Sequence, residues 1–178
     1  YRGLQFIVAG APGRSAENYS RWQADNVHIV FGHTHEILHH ARAAVINSGT
    51  ASLEAVLTGT PQVVAWASSA ITVAIARMIV KVKYISLGNL TVDRLVFKEL
   101  IQNDFNTDAL TREMLRLLED EPYRSKMLEG YADMRRRLTG KNAPENAARA
   151  IDTFLGSKNK LFIRKYLTDR KLFVNLHR

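Results

Sequence analysis

Short apolar runs alternate with helix-like segments through the first 90 residues of this 178-residue chain. Strands that are apolar along their whole length are covered on both faces of a sheet. A repeated strand–helix–strand order implies a parallel sheet with right-handed crossovers. The sequence therefore predicts an α/β fold with a Rossmann-like parallel sheet and flanking helices. The predicted strands are 4–9, 27–31, 43–47, 62–66 and a shorter fifth at 84–87, and the intervening helices are 34–41, 52–58 and 71–80.

The second half of the chain has a different pattern, with no predicted strand after about residue 93. Asn106 and Asn142 stand where helix caps are expected, and Pro144 fits the first turn of a helix. We therefore predict a domain over residues 1–156, helical from about 93, followed by a basic amphipathic tail at 157–178. The predicted helices of this half are 95–101, 107–119, 122–138 and 143–155.

Most of the positive charge lies in the predicted tail. The chain has a net charge of +8, and residues 157–178 hold seven Lys or Arg side chains and one Asp, which leaves +2 for the rest. This distribution argues against a domain that binds nucleic acid. The tail suits either an anionic membrane surface or a helix that is solvated or packed against a partner. Because the chain has no cysteine, a disulfide scaffold, a thiolate zinc site and a Cys nucleophile are excluded.

The loop after the third predicted strand carries the best candidate ligand site. Ser48, Gly49 and Thr50 lie between an apolar run and a helix, at the edge of the sheet where ligands bind. Free N–H groups at a helix start suit a phosphate or diphosphate, and the hydroxyl of Ser52 adds a further donor. Glu54 could accept hydrogen bonds from a ribose diol. An ordinary strand-to-helix turn, with Glu54 as a first-turn acid, is the alternative.

Two further loops contain candidate side chains. Asn89 can donate and accept hydrogen bonds, and Arg94 can grip phosphate oxygens, although a turn with a solvated arginine explains both residues as well. His33 opens a run of four histidines within eight residues. Their spacing does not complete a metal site, so we predict no metal there. The segment at His33 suits either a base or sugar ring or a plain helix start.

Several segments together resemble the C-terminal half of the lipid-A-disaccharide synthase family. These are the segments SGTASLE at 48–54, PQVVAW at 61–66, VKYISLGNL at 82–90 with Arg94, and ELIQ at 99–102. Two departures from the family pattern stand beside them. An aromatic followed by a basic residue is expected where residues 66–69 read WASS, and Gly88 stands where Pro is frequent.

The resemblance implies an inverting, metal-independent glycosyltransferase of the two-Rossmann GT-B architecture. Such an enzyme transfers a 2,3-diacylglucosamine from UDP to a diacylglucosamine 1-phosphate acceptor and forms the lipid A disaccharide. By similarity, this half binds the UDP donor and needs no cofactor. The implied contacts are Ser48, Gly49 and Thr50 to the diphosphate, Glu54 to the ribose, Asn89 and Arg94 in the donor site, and His33 near the uracil.

The resemblance also sets expectations about the whole protein. It places the acceptor domain and the general base upstream of this chain, so we expect the chain alone to be inactive. It implies a cytoplasmic enzyme, peripheral at the inner face of the bacterial inner membrane, and leaves oligomerisation open. Two rival functions are a related GT-B enzyme, such as a UDP-GlcNAc 2-epimerase, and a non-catalytic basic module that binds phosphate or nucleic acid. The low charge outside the tail disfavours the second rival.

Overall fold

A computed structural model describes residues 3–47, 49–69, 83–138 and 142–155. The chain divides into two compact units, Tyr1–Arg137 and Leu138–Arg178. Three predicted features lie outside the described residues, namely Ser48, the helix at 71–80 and the tail at 157–178. The predicted domain boundary at residue 156 therefore stays a prediction.

The first unit begins with a two-stranded parallel sheet. β1 (Phe6–Gly10) pairs with β2 (Val27–Phe31), and a 3-10 helix (Ala16–Trp22) connects them. Both strands were predicted, but the prediction that both faces of such strands are covered is wrong here. Phe6 and Ile7 are about half exposed within the described part of the chain.

A second parallel sheet has the order β3–β4–β5. Its strands are β3 (Ala44–Ile46), β4 (Gln62–Trp66) and β5 (Glu99–Ile101). α1 (Thr34–His40) leads into β3, and α2 (Gly49–Thr58) connects β3 to β4. β4 is central, and its first four residues are buried, as the prediction for an apolar strand required. α2 starts three residues earlier than predicted, so Gly49 and Thr50 belong to its first turn.

The region between residues 84 and 101 differs from the prediction in two ways. Residues 84–87 form no strand, because the Ser86 hydroxyl accepts the backbone N–H of Asn89 and caps a helix, α3 (Leu87–Val92). Residues 95–101 form no helix, because β5 extends the sheet beside β4, where the Val64 N–H donates to the Lys98 carbonyl at 2.9 Å. The prediction that strands stop near residue 93 is therefore also wrong.

Two long helices complete the core of the first unit. α4 (Thr107–Glu119) packs against β4 and matches the predicted bounds, and α5 (Glu121–Leu138) begins one residue before the prediction. The Tyr131 hydroxyl donates to the Thr60 carbonyl at 3.0 Å, and burial raises the pKa of this phenol far above its usual value, so it remains a donor. The largest buried side chains around it are Phe97, Leu117, Met127 and Met134.

The described part of the second unit is one helix, α6 (Ala143–Leu155), with the predicted bounds. Its N-terminal cap is confirmed, since the Asn142 side-chain oxygen accepts the Glu145 N–H at 3.5 Å. The predicted cap of α4 is confirmed as well, because the Asn106 side-chain oxygen accepts the Ala109 N–H at 2.9 Å.

Candidate functional site

The candidate site lies where β3 ends and α2 begins. The carboxyl ends of β3, β4 and β5 share one edge of the sheet because the three strands are parallel. α2 starts at Gly49, three residues after the end of β3. A helix leaves its first N–H groups without intrahelical partners and carries a partial positive charge at that end. The arrangement can therefore receive an anion at the sheet edge.

Gly49 lies against Ile85 and against Leu87, the first residue of α3. A Cβ atom at Gly49 would lie 3.6 Å from Cγ of Leu87 and 3.9 Å from the carbonyl oxygen of Ile85, both ordinary contacts. The protein itself therefore does not require glycine at this position. Thr50, the next residue of the helix, is exposed. The helix start is thus bounded by the 85–87 segment and open at Thr50.

Ser52 takes a structural role instead of the predicted ligand contact. Its side chain is fully buried, and its hydroxyl donates to the Gly49 carbonyl at 2.6 Å. Gln62 of β4 donates from its side-chain amide to the Ser52 carbonyl at 2.9 Å. The Gln62 bond anchors the first turn of α2 to β4, and the Ser52 hydroxyl is engaged within α2 itself. The prediction that Ser52 faces a ligand is therefore wrong.

Glu54 lies one helical turn after Thr50 and is partly exposed. Its backbone carbonyl accepts the Thr58 hydroxyl at 3.1 Å. Its carboxylate has no hydrogen-bond or ion-pair partner among the residues that the structure describes. A carboxylate at this distance along the helix is available to accept hydrogen bonds from a ligand bound at the helix start.

Asn89 is fully buried and its side chain is saturated with hydrogen bonds. Its amide donates to the Phe97 carbonyl at 3.0 Å and to the Glu99 carboxylate at 2.8 Å. Its side-chain oxygen accepts the Val96 N–H at 2.9 Å. Asn89 therefore holds α3 against the segment leading to β5. Its direct contact with the UDP-sugar donor stays a prediction.

Arg94 is not brought together with the start of α2. It follows the C-terminal end of α3, whereas Gly49 lies against the N-terminal end of that helix. Its guanidinium donates to the Asp133 carboxylate at 3.3 Å, and Arg136 and Arg137 approach the same carboxylate at 3.4 and 3.6 Å. Partial desolvation opposes ionisation, but the three guanidinium groups outweigh it and hold the pKa of Asp133 below its usual value. Three cations therefore share one anion.

His33 precedes α1 on an exposed turn. Its Nδ1 lies 3.5 Å from the Glu36 carboxylate, and its side chain is 64% exposed. Backbone hydrogen bonding, followed by the hydrogen bond with His33, holds the pKa of Glu36 below its usual value. In the described ranges, no three histidine or acidic side chains come together as metal ligands. The structure leaves the ring of His33 accessible to a ligand.

Two residues that sequence reasoning left without a role tie the surrounding loops to β5. The Glu99 carboxylate accepts the backbone N–H of Ile85 at 2.9 Å and that of Ser86 at 3.2 Å. Gln102 accepts the Ser68 N–H at 2.7 Å and donates to the Ser68 carbonyl at 3.0 Å. These bonds join residues that lie 13 to 34 positions apart in the chain. A local sequence pattern therefore could not have predicted them.

A surface cavity of about 490 Å³ lies elsewhere, along the 3-10 helix between Arg14 and Trp22. All of its lining residues belong to the segment that connects β1 to β2, away from the edge of the β3–β5 sheet. We therefore do not assign it to the candidate site. Of the helices that the structure describes, none has the length and apolar character needed to cross a membrane.

A parallel α/β sheet with flanking helices is the architecture of a GT-B glycosyltransferase domain, and this chain has it. The sequence model of the family described as Lipid-A-disaccharide synthetase matches residues 14–151. The chain belongs to that family.

Curated relatives agree with the family match. The chain is 40% identical over 138 residues to the lipid-A-disaccharide synthase of Acidobacterium capsulatum, which covers 78% of this chain and 34% of that protein. It is 37% identical over 152 residues to the synthase of Myxococcus xanthus, with 84% and 40% covered. For Pseudomonas syringae pv. tomato, the values are 36% over 157 residues, with 86% and 40% covered. The chain thus spans about two fifths of the length of these relatives or less.

Proposed function

We propose that this chain is the UDP-donor-binding part of a lipid-A-disaccharide synthase. The observation that carries the proposal is the start of α2. Its first turn opens onto the sheet edge beside residues 85–87. One turn later follows the carboxylate of Glu54, which has no partner among the residues that the structure describes. If the diphosphate of UDP binds at the first turn of α2, the ribose hydroxyls of UDP can donate hydrogen bonds to the Glu54 carboxylate farther along the helix.

The reaction that we propose transfers a 2,3-diacylglucosamine from UDP to a diacylglucosamine 1-phosphate with inversion. An acceptor hydroxyl attacks the anomeric carbon, and the bond from that carbon to the diphosphate oxygen breaks. The electron pair leaves with UDP, and the hydroxyl proton passes to a base that we place outside this chain. Because negative charge develops on the diphosphate, preorganised donors at that position lower the barrier. The amides of Gly49 and Thr50, with the hydroxyls of Ser48 and Thr50, supply such donors without a metal.

Arg94 and His33 have secondary parts in the proposal. Arg94 shares the Asp133 carboxylate with two other arginines, so this group of side chains keeps a net positive charge. In the proposal, Arg94 attracts the anionic donor through that charge. His33 offers an exposed ring at the end of β2 for the uracil. A membrane surface and the acylated acceptor are the further partners that the proposal implies for the whole protein.

The test separates the ribose from the diphosphate. We expect Glu54→Gln to weaken UDP binding to this chain by roughly tenfold, because a charged acceptor of hydrogen bonds is lost. We expect the affinity for inorganic pyrophosphate to stay the same or to rise, because a nearby negative charge is removed. Calorimetric titration measures both affinities.

Glu129→Gln is the matched control, because it removes an equal charge from the exposed face of α5. It should leave both affinities unchanged. Unaltered UDP affinity in Glu54→Gln would refute the ribose contact. Equal affinity for UDP and for other polyanions, falling steeply with salt, would instead support the basic-module alternative.

A further inference from the structure

Gln102 makes an unusual pair of contacts at the end of β5. Its side-chain amide accepts the Ser68 N–H and donates to the Ser68 carbonyl, so it binds both polar groups of one backbone residue. Ser68 follows β4 by two residues, at the carboxyl edge of the sheet. The side-chain amide of Gln102 therefore holds the backbone at Ser68, just after the central strand β4 and at the same sheet edge as the candidate site.

The backbone of Gln102 indicates that these contacts serve more than packing. Its φ angle is +55°, in the left-handed region that side-chain-bearing residues other than Asn and Asp seldom adopt. Such a conformation is strained and persists where the surroundings impose it, often at functional sites. The two bonds to Ser68 are exposed to solvent, so they add little to the buried core.

Glu99, three residues before Gln102, connects β5 to a second backbone segment, residues 85–86. Its carboxylate accepts the N–H groups of Ile85 and Ser86, and the Ser86 hydroxyl at 2.5 Å. Ile85 and Leu87 are the residues that face Gly49. Glu99 therefore fixes the segment that bounds the start of α2.

We propose that Glu99 and Gln102 are positioning residues, which use β5 as a rigid base to hold the 85–86 and 68 loops at the correct distance from the start of α2 for the nucleoside diphosphate. The proposal rests on the donor-binding function proposed above. Neither residue contacts the ligand; each orders a backbone segment before the ligand binds, which reduces the ordering cost of binding.

Gln102→Gly gives the cleanest test. Glycine accepts a φ of +55° without strain and removes both bonds to Ser68, so the fold should stay intact. The exchange rate of the Ser68 amide hydrogen is a direct reporter, because that N–H donates to Gln102. We expect faster exchange at Ser68, unchanged exchange at Ile85 and Ser86, and UDP affinity lower by roughly fivefold, with no loss of thermal stability.

Asn103→Ala is the matched control, since it removes the side-chain amide of the neighbouring exposed residue and should change none of these quantities. Glu99→Gln extends the test, and we expect faster exchange at Ile85 and Ser86 instead. Unchanged exchange at Ser68 in Gln102→Gly would show that Gln102 does not hold the Ser68 backbone. Faster exchange with unaltered UDP affinity would overturn the positioning role. Absence of UDP binding in the unmodified chain would overturn the proposed function itself, and the positioning role with it.

Discussion

The two sheets of this protein start from similar sequences and reach different environments. β1 and β4 are both five-residue, largely apolar strands in parallel pairs. In β1, Phe6 and Ile7 are 48% and 50% exposed, whereas Val63 and Val64 of β4 are 0% and 2% exposed. An apolar run therefore predicts a strand, but the elements that pack on the strand decide its burial.

The difference in burial between the two sheets indicates which of them is better suited to hold a binding site in place. α2 and α4 pack against β4, and α5 contributes Met127, Tyr131 and Met134 to the same core. The loops after β4 and before α3 are tied by side-chain bonds to β5. At the end of β2, in contrast, Gly32 has open space around it and His33 is exposed. The proposed diphosphate site lies at the edge of the buried β3–β5 sheet.

The largest expected effect concerns the stability of the two sheets. We expect Leu100→Ala in β5 to lower the free energy of unfolding by about 3 kcal/mol, because Leu100 is 3% exposed and truncation leaves a cavity. We expect the matched Ile7→Ala in β1 to cost less than about 1 kcal/mol, because that side chain is half exposed. Urea denaturation measures both values. Equal losses would contradict the contrast between the sheets.

A smaller effect is expected from Gly49→Ala, which tests the helix start. The added Cβ meets the protein only at 3.6 Å, so stability should not fall. It should obstruct a diphosphate on the first turn of α2 and weaken UDP binding by roughly tenfold. Calorimetry and thermal denaturation give the two quantities. Gly13→Ala is the control, because a Cβ there meets nothing within 4 Å, and a similar loss of affinity in both variants would argue against the site.

Much of the fold follows from the sequence, because apolar periodicity and caps act locally. The bounds of β2, β4, α4 and α6 agree with prediction, and so does the buried state of β4. The errors in element type fall on the short segments at 84–87 and 95–101, whose length suits either a strand or a helix. There the Ser86 cap and the pairing of β5 with β4 decide the outcome.

The candidate site was predictable only in part. The 47–54 loop could be found because a strand, a small-residue turn and a helix follow one another in the sequence. Three features could not be predicted, because they depend on contacts between residues far apart in the sequence. They are the burial of Ser52, the hydrogen bonds of the buried Asn89 side chain, and the ion pair of Arg94 with Asp133. The roles of Glu99 and Gln102 depend on loops that the fold brings beside β5, and the sequence alone does not show them.

The central claim is that UDP binds at the first turn of α2, and a nitrogen-15 NMR titration of the chain with UDP tests it most directly. We predict saturable shifts concentrated at the amides of Gly49, Thr50 and Ala51, with smaller shifts at Ile85 and Ser86. Shifts confined to the 3-10 helix at Ala16–Trp22, or no saturable shift at any amide, would contradict the claim.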